Sequence, residues 1–128
     1  MKLSVFSAGD IEYSYGVIEF EPSEEVLKKL SGRDASSLQR ELEEKTGLTF
    51  TSFSFARGAM NYKGELLDLA YLRFELEDGL GFEVEIYERS ARSFSNTNPQ
   101  EHFSIVNKLI SALYPDIKLS GPRLISYV

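Results

Sequence analysis

Between residues 67 and 89, apolar and polar side chains alternate through two runs joined by one glycine-containing turn. The parity of that alternation leaves a single hairpin register. Ala70, Leu72, Phe74 and Leu76 alternate with Tyr71, Arg73, Glu75 and Glu77, and after Asp78 and Gly79 the apolar set continues as Leu80, Phe82, Val84 and Ile86. A period of two is that of a half-buried strand. Opposite residues in a hairpin share a face, so a one-residue slip would send every apolar side chain to the wrong side. A two-residue turn at Asp78 and Gly79 would set Phe74 against Glu83 and mix the faces. A three-residue loop of Glu77, Asp78 and Gly79 pairs Leu76 with Leu80, Phe74 with Phe82 and Leu72 with Val84. It also puts a glycine where a type I turn with a bulge needs a left-handed residue. The register predicts Arg73 opposite Glu83 and Tyr71 opposite Glu85 on the outer, polar face.

The remaining segments supply partners for this hairpin. Residues 2–8 and 11–20 read as strands around a turn at Gly9 and Asp10, with Ile11, Tyr13, Tyr15 and Val17 alternating with polar or small residues. Pro22 and Ser23 open a short helix with Ser23 as its N-cap and Val26, Leu27 and Leu30 on its apolar side. Asp34 caps a second helix that runs to about Thr46 and ends at Gly47; its narrow stripe of Ala35, Leu38 and Leu42 attaches it along one edge. Residues 48–57 return to strand composition, with a parity switch between Phe50 and Phe53 that marks a bulge or an edge. Residues 58–64 read as a loop, and so does the serine-rich stretch 89–97. Asn98, Pro99 and Glu101 start a strong amphipathic helix bearing Phe103, Ile105, Val106, Leu109, Ile110 and Leu113. Pro115 ends it, and Ile117, Leu119, Leu124, Ile125 and Val128 suggest a last strand. The expected fold is therefore α+β: an antiparallel or mixed sheet in the order β-β-α-α-β-β-β-α-β, packed on one face by the C-terminal helix.

A chain of 128 residues without cysteine and with one histidine narrows the chemistry. Its length predicts one domain, residues 1–128, with a core large enough to need no disulfide. Thiol nucleophiles, cysteine-based metal sites and multi-histidine centres are excluded. No apolar run has the length of a membrane span and no secretory signal opens the chain, which points to the cytoplasm. No cofactor and no metal are expected. The net charge of −6 gathers toward the N-terminal side: residues 1–47 hold ten acids and six bases, residues 48–95 eight and five, and residues 96–128 two and three. Direct binding to nucleic acid or to an anionic membrane needs the opposite sign, whereas a basic protein partner suits this one.

Candidate sites each have an ordinary competitor. His102 lacks a recognisable nucleophile motif and reads as a surface or helix-cap histidine. Arg57 and Lys63 in the loop 58–64 could hold an anion, but the segment has no phosphate-loop spacing and reads as a connection between strands. Glu83 and Glu85, two apart, resemble a carboxylate pair, yet they fall on a predicted solvent face that would not separate their pKa values. That face is more informative as a surface. Residues 75–88 carry six acids and no base, and Tyr71 and Tyr87 flank them. Tyrosine anchors interfaces by burying a large ring behind a polar tip. Tyr71, Glu75, Glu83, Glu85 and Tyr87 are thus the expected partner-binding residues of a non-enzymatic inhibitor or immunity-type protein. Its partner would be a basic protein such as a toxin or a nucleic-acid-handling effector. The alternative is a small-molecule or sensor domain with an apolar pocket between sheet and helix, lined by Phe50, Phe53, Phe55 and Phe94. An exposed strand edge would let such a domain form a homo-oligomer. An enzyme working through carboxylates, tyrosine or the single histidine is the third reading.

Overall fold

The computed structural model describes residues 6–8, 11–13, 17–21, 23–88 and 90–123. The elements are β1 (Phe6–Ala8), β2 (Ile11–Tyr13), β3 (Val17–Glu21), α1 (Ser23–Lys29), α2 (Ala35–Thr46), β4 (Phe50–Tyr62), β5 (Glu65–Leu76), β6 (Gly81–Tyr87), β7 (Ala91–Ser95), α3 (Pro99–Leu113) and β8 (Lys118–Arg123). Six strands form one sheet in the order β4-β5-β6-β7-β3-β8, and β1 pairs with β2 in a separate hairpin. Each of these pairings is antiparallel. The fold is α+β, as the alternation and the helix signals predict. The turn at Gly9 and Asp10, the residue Pro22 and the apolar positions 124–128 lie outside the described residues.

The central hairpin has the predicted register. Tyr71 faces Glu85, Leu72 faces Val84, Arg73 faces Glu83 and Phe74 faces Phe82. The ends of the loop are tied by bonds from Leu76 N to Leu80 O at 2.9 Å and from Gly79 N to Leu76 O at 3.0 Å. Gly79 has φ of 85°, the left-handed conformation required of it. A Cβ built on Gly79 meets nothing within 4 Å, so Gly79→Ala tests the backbone alone. We expect a loss of about 1–2 kcal/mol, seen as a lower urea midpoint with unchanged slope. The bulge signal in β4 is also realised, because its register with β5 shifts between Phe50 and Ser52 and β4 is an edge of the sheet.

One face of the sheet carries the core. Register aligns Phe53, Phe74, Phe82 and Ser95 in one row and Leu72, Val84, Ser93 and Ile18 in the next. Helix α1 covers this face with Val26 and Leu27, the turn after it with Leu30, α2 with Leu38 and Leu42, and α3 with Val106, Leu109, Ile110 and Leu113, all within a single buried cluster. The predicted caps hold α2 and α3: Asp34 Oδ1 accepts from Ser37 N at 2.8 Å, and Asn98 Oδ1 accepts from Glu101 N at 2.9 Å. The Ser37 N–H keeps the Asp34 carboxyl below its ordinary range. Ser23 does something different from capping α1. Its buried hydroxyl donates to Glu88 O at 3.2 Å and ties the helix to the end of β6.

Three segments depart from expectation. The predicted strand 11–20 is two elements, β2 and β3, assigned to different sheets. The predicted loop 58–64 is mostly strand: β4 runs to Tyr62, and the turn is only Lys63 and Gly64, with φ of 51° and 83°. Two positive φ values in succession are the geometry that suits a two-residue hairpin turn. The predicted loop 89–97 contains β7, which pairs with both β6 and β3. Its serines look like loop residues in isolation. Here Ser93 Oγ donates to Glu83 O at 2.9 Å and Ser95 Oγ donates to Gly81 O at 2.8 Å, which lets small polar side chains be buried under α3.

Candidate functional site

The face opposite the helices brings the predicted residues together. Tyr71, Arg73 and Glu75 of β5 and Glu83, Glu85 and Tyr87 of β6 all point away from the core, because Leu72, Phe74, Val84 and Ile86 between them are buried. The next strands extend the rows: Arg92 faces Glu85 and also Glu19, and Phe94 faces Glu83. On this side β3, β5 and β6 carry Glu19, Glu21, Glu65, Glu75, Glu83 and Glu85, with Arg73 and, from β7, Arg92 among them, and β8 sets Lys118 opposite Glu21 and Arg123 opposite Val17.

Glu83 corrects the sequence reading. It is only 4% exposed, so it is no part of a solvent face. Its neighbour Phe94 is 2% exposed on the same side. Strand β7 has sheet partners along both edges and α3 on its inner face, yet β2 packs against it as well. Strand β2 of the β1–β2 hairpin thus lies close to β7. Hairpin alternation within residues 70–87 cannot reveal a neighbour from elsewhere in the chain. Tyr71, Glu75, Glu85 and Tyr87 stay partly accessible.

Arg92 is a residue that the sequence reading assigns to a positively charged loop and that the structure places on this face. Its Nε donates to Glu85 Oε1 at 2.9 Å, and its guanidinium lies 5.4 Å from the centre of the Phe94 ring. Arg92 and Phe94 alternate with Ala91, Ser93 and Ser95, a period-two signal that serine composition masked. Tyr87 Oη lies 3.5 Å from the same Glu85 oxygen. Burial, and then the Glu85 charge, pushes the Tyr87 phenol above its ordinary pKa. The neutral phenol is the form favoured by folding. Its contribution is therefore complete below about pH 10, the unfolded value, and is lost as the pH rises through the folded one. In ultraviolet difference titrations against Tyr87→Phe, Tyr87 should ionise above a free tyrosine. Glu85→Gln should move its midpoint back down.

A concavity lies at the end of this face. The β5–β6 ladder stops at Leu69 and Tyr87, while β4 and β5 continue as a two-stranded arm to Tyr62 and Glu65. Asp68 N, just past the ladder, is held by Glu88 Oε2 at 2.8 Å. Tyr62 and Leu67 on the arm, with Glu19, Tyr87, Ser90, Ala91 and Arg92, enclose about 440 Å³. Tyr62 is 45% and Leu66 73% exposed. Arg57 does not form an anion site with Lys63, but pairs with Asp68 at 3.6 Å. The four phenylalanines expected to line one pocket are divided between the faces. Phe50 packs on Phe53 and Phe74 at 5.1 Å each, and Phe94 lies on the other side of the sheet.

His102 also departs from expectation, since it is fully buried. Its Nε2 is 2.9 Å from Ser93 Oγ, whose proton goes to Glu83 O. A carbonyl only accepts, so Nε2 carries the imidazole proton and donates to the serine. A serine–histidine contact of this length has the reach of a nucleophile and its base, but both side chains are sealed beneath α3. Among the described residues, no group of three or more histidine, aspartate or glutamate side chains is placed to hold a metal ion, and no helix is long and apolar enough to cross a membrane. Comparisons with protein-family models, curated proteins and solved structures gave no match.

Proposed function

We propose that this chain is a small acidic, non-enzymatic binding protein of inhibitor or immunity type, acting in the cytoplasm, that covers a basic surface of a partner protein. The observation that carries this reading is the composition of the outer face, where Glu19, Glu21, Glu65, Glu75, Glu83 and Glu85 lie on one side of one sheet with the partly exposed rings of Tyr62, Tyr71 and Tyr87. A toxin or nucleic-acid-handling effector would present its phosphate-binding surface to these carboxylates. Such fields steer association and select the partner by sign. Tyr71, Glu75, Glu85 and Tyr87 are the contact residues. Glu83 acts from beneath them, opposite Arg73.

The test uses the tagged chain as bait in extract of its native host, at low and high salt, followed by titration of the purified retained protein. Tyr71→Ala should weaken that complex by about 1–2 kcal/mol or more. Glu75→Lys should slow association and flatten its salt dependence. Affinity unchanged by both substitutions would remove this face from contact. A second reading, a small-molecule site, draws on the cavity of about 440 Å³, which falls in the size range of ligand pockets. A thermal-shift screen of the chain alone tests it, because a ligand of the native state raises the melting temperature.

A further inference from the structure

We propose that the free edge of β4 is a self-association surface, where a second copy of this chain adds its own β4 antiparallel across a two-fold axis centred on Ala56. The six-stranded sheet ends at β4 on one side and at β8 on the other. Strand β8 holds Lys118, Pro122 and Arg123 within six residues, and charges and proline are what keep an edge from pairing. Strand β4 runs for 13 residues without proline and with one charged residue, Arg57. Its bulge lies at the Phe50 end and leaves the rest of its register regular. The ladder fixes which backbone groups face outward. Leu76 N donates to Leu80 O, so the even residues of β5 turn their backbone groups to β6 and the odd ones to β4. Those odd residues pair with Ser54, Ala56, Gly58, Met60 and Tyr62. Phe53, Phe55, Arg57, Ala59 and Asn61 therefore aim their N–H and C=O groups at the open edge.

Charge and shape both select an identical strand as the occupant. An edge with a single cation offers nothing to attract a basic protein, and it repels its own copy only if the two Arg57 side chains are opposed. Centring the two-fold on Ala56 avoids that. Arg57 then lies opposite Phe55 of the second copy, where a guanidinium can meet a ring, and Phe53 lies opposite Ala59. Both phenylalanines are half-buried, so the copy would cover what α2 leaves open. The β4–β5 arm supplies the second argument. Its β6 neighbour stops at Tyr87, opposite Leu69, and a two-stranded ribbon is marginal in water. In this register Ser52 to Ser54 of each copy lie along Gly58 to Met60 of the other. Each arm thereby gains a third strand from the body of its partner's sheet, and a two-fold makes the support reciprocal. The bulge at Ser52 ends the pairing where the arm ends.

The experiment is sedimentation equilibrium of the purified full chain, whose mass should rise from 14.5 kDa to twice that value with concentration. The chain has no cysteine, so an introduced one reports a single contact. Ala56→Cys should join two copies through a disulfide under oxidised glutathione. Directly opposed residues of a non-hydrogen-bonded pair have Cα atoms about 4.5 Å apart, within disulfide reach. Ser54→Cys should stay unlinked, because its two copies would lie about 14 Å apart along the strands. Ala56→Asp, at an exposed position, should raise the dimer dissociation constant about tenfold or more by opposing two carboxylates. A monomer mass at every concentration, undiminished dimerisation of a folded Ala56→Asp chain, or equal cross-linking of the two cysteine variants would overturn the pairing. Should Ala56→Asp fail to fold, the two cysteine variants decide alone. A monomeric chain that loses its retained partner on Ala56→Asp would also overturn it, since the edge would then take a strand of another protein. The mass is read without the basic partner, so failure of the outer-face reading leaves this result untouched.

Discussion

Phe74→Ala should destabilise the chain by about 3–5 kcal/mol, against the 5–15 kcal/mol that holds a typical domain together. Phe74 is fully buried on the second strand of the sheet. Its ring stacks on Phe82 at 5.0 Å and meets Phe50 edge-on at 5.1 Å. Removing it loses the transfer free energy of the ring and leaves a hole between two other aromatics. Phe82 is held by its strand and Phe50 by the bulged edge, so collapse into the hole is limited. The chain has no tryptophan, so urea unfolding is best followed by far-ultraviolet circular dichroism. The midpoint should fall strongly with the slope unchanged. A loss below about 1.5 kcal/mol would mean that the aromatic row repacks freely and is not the centre of the core.

His102→Ala should cost about 2–4 kcal/mol, an effect unusual for a residue that reads as a surface histidine. The imidazole fills space beside Phe82, 6.0 Å between ring centres, and donates to Ser93. Its removal leaves both a void and a buried hydroxyl stripped of one partner. Ser93→Ala should cost less, about 1–2 kcal/mol, because only hydrogen bonds are lost. The two should not add. In a double-mutant cycle the pair should show coupling of about 0.5–2 kcal/mol, since each single substitution already breaks the shared bond. Additivity within about 0.3 kcal/mol would separate the two residues energetically and leave His102 important only for its volume.

These two expectations also mark what could be read before the fold. Phe74 was legible because its environment is set by alternation and by one turn, both local. His102 was not, because the helical spacing around it fits either a cap or a core histidine. The serine that receives its proton lies in a segment whose composition suggests a loop. The same omission misread the face. Without β7, residues 75–88 show six acids and no base, and Glu83 and Glu85 look equivalent. With β7 in place, Arg92 takes Glu85 as its ion partner and Phe94 lies buried beside Glu83. The cavity was illegible for a related reason. It forms between the arm, the β6–β7 turn and β3, which lie far apart in the chain.

The sequence by itself determined the α+β class, the register of β5 and β6, the bulge at the start of β4, the caps of α2 and α3 and the apolar faces of the three helices. Each depends on neighbours within a few residues, where side-chain period, positive φ and capping bonds act. Tertiary structure alone decided that β7 would be an interior strand, that all three helices would share one face, and that Glu83 and His102 would be buried. A buried serine or histidine is tolerated only when a distant carbonyl or hydroxyl answers it. No local pattern in the chain states where that answering group will be.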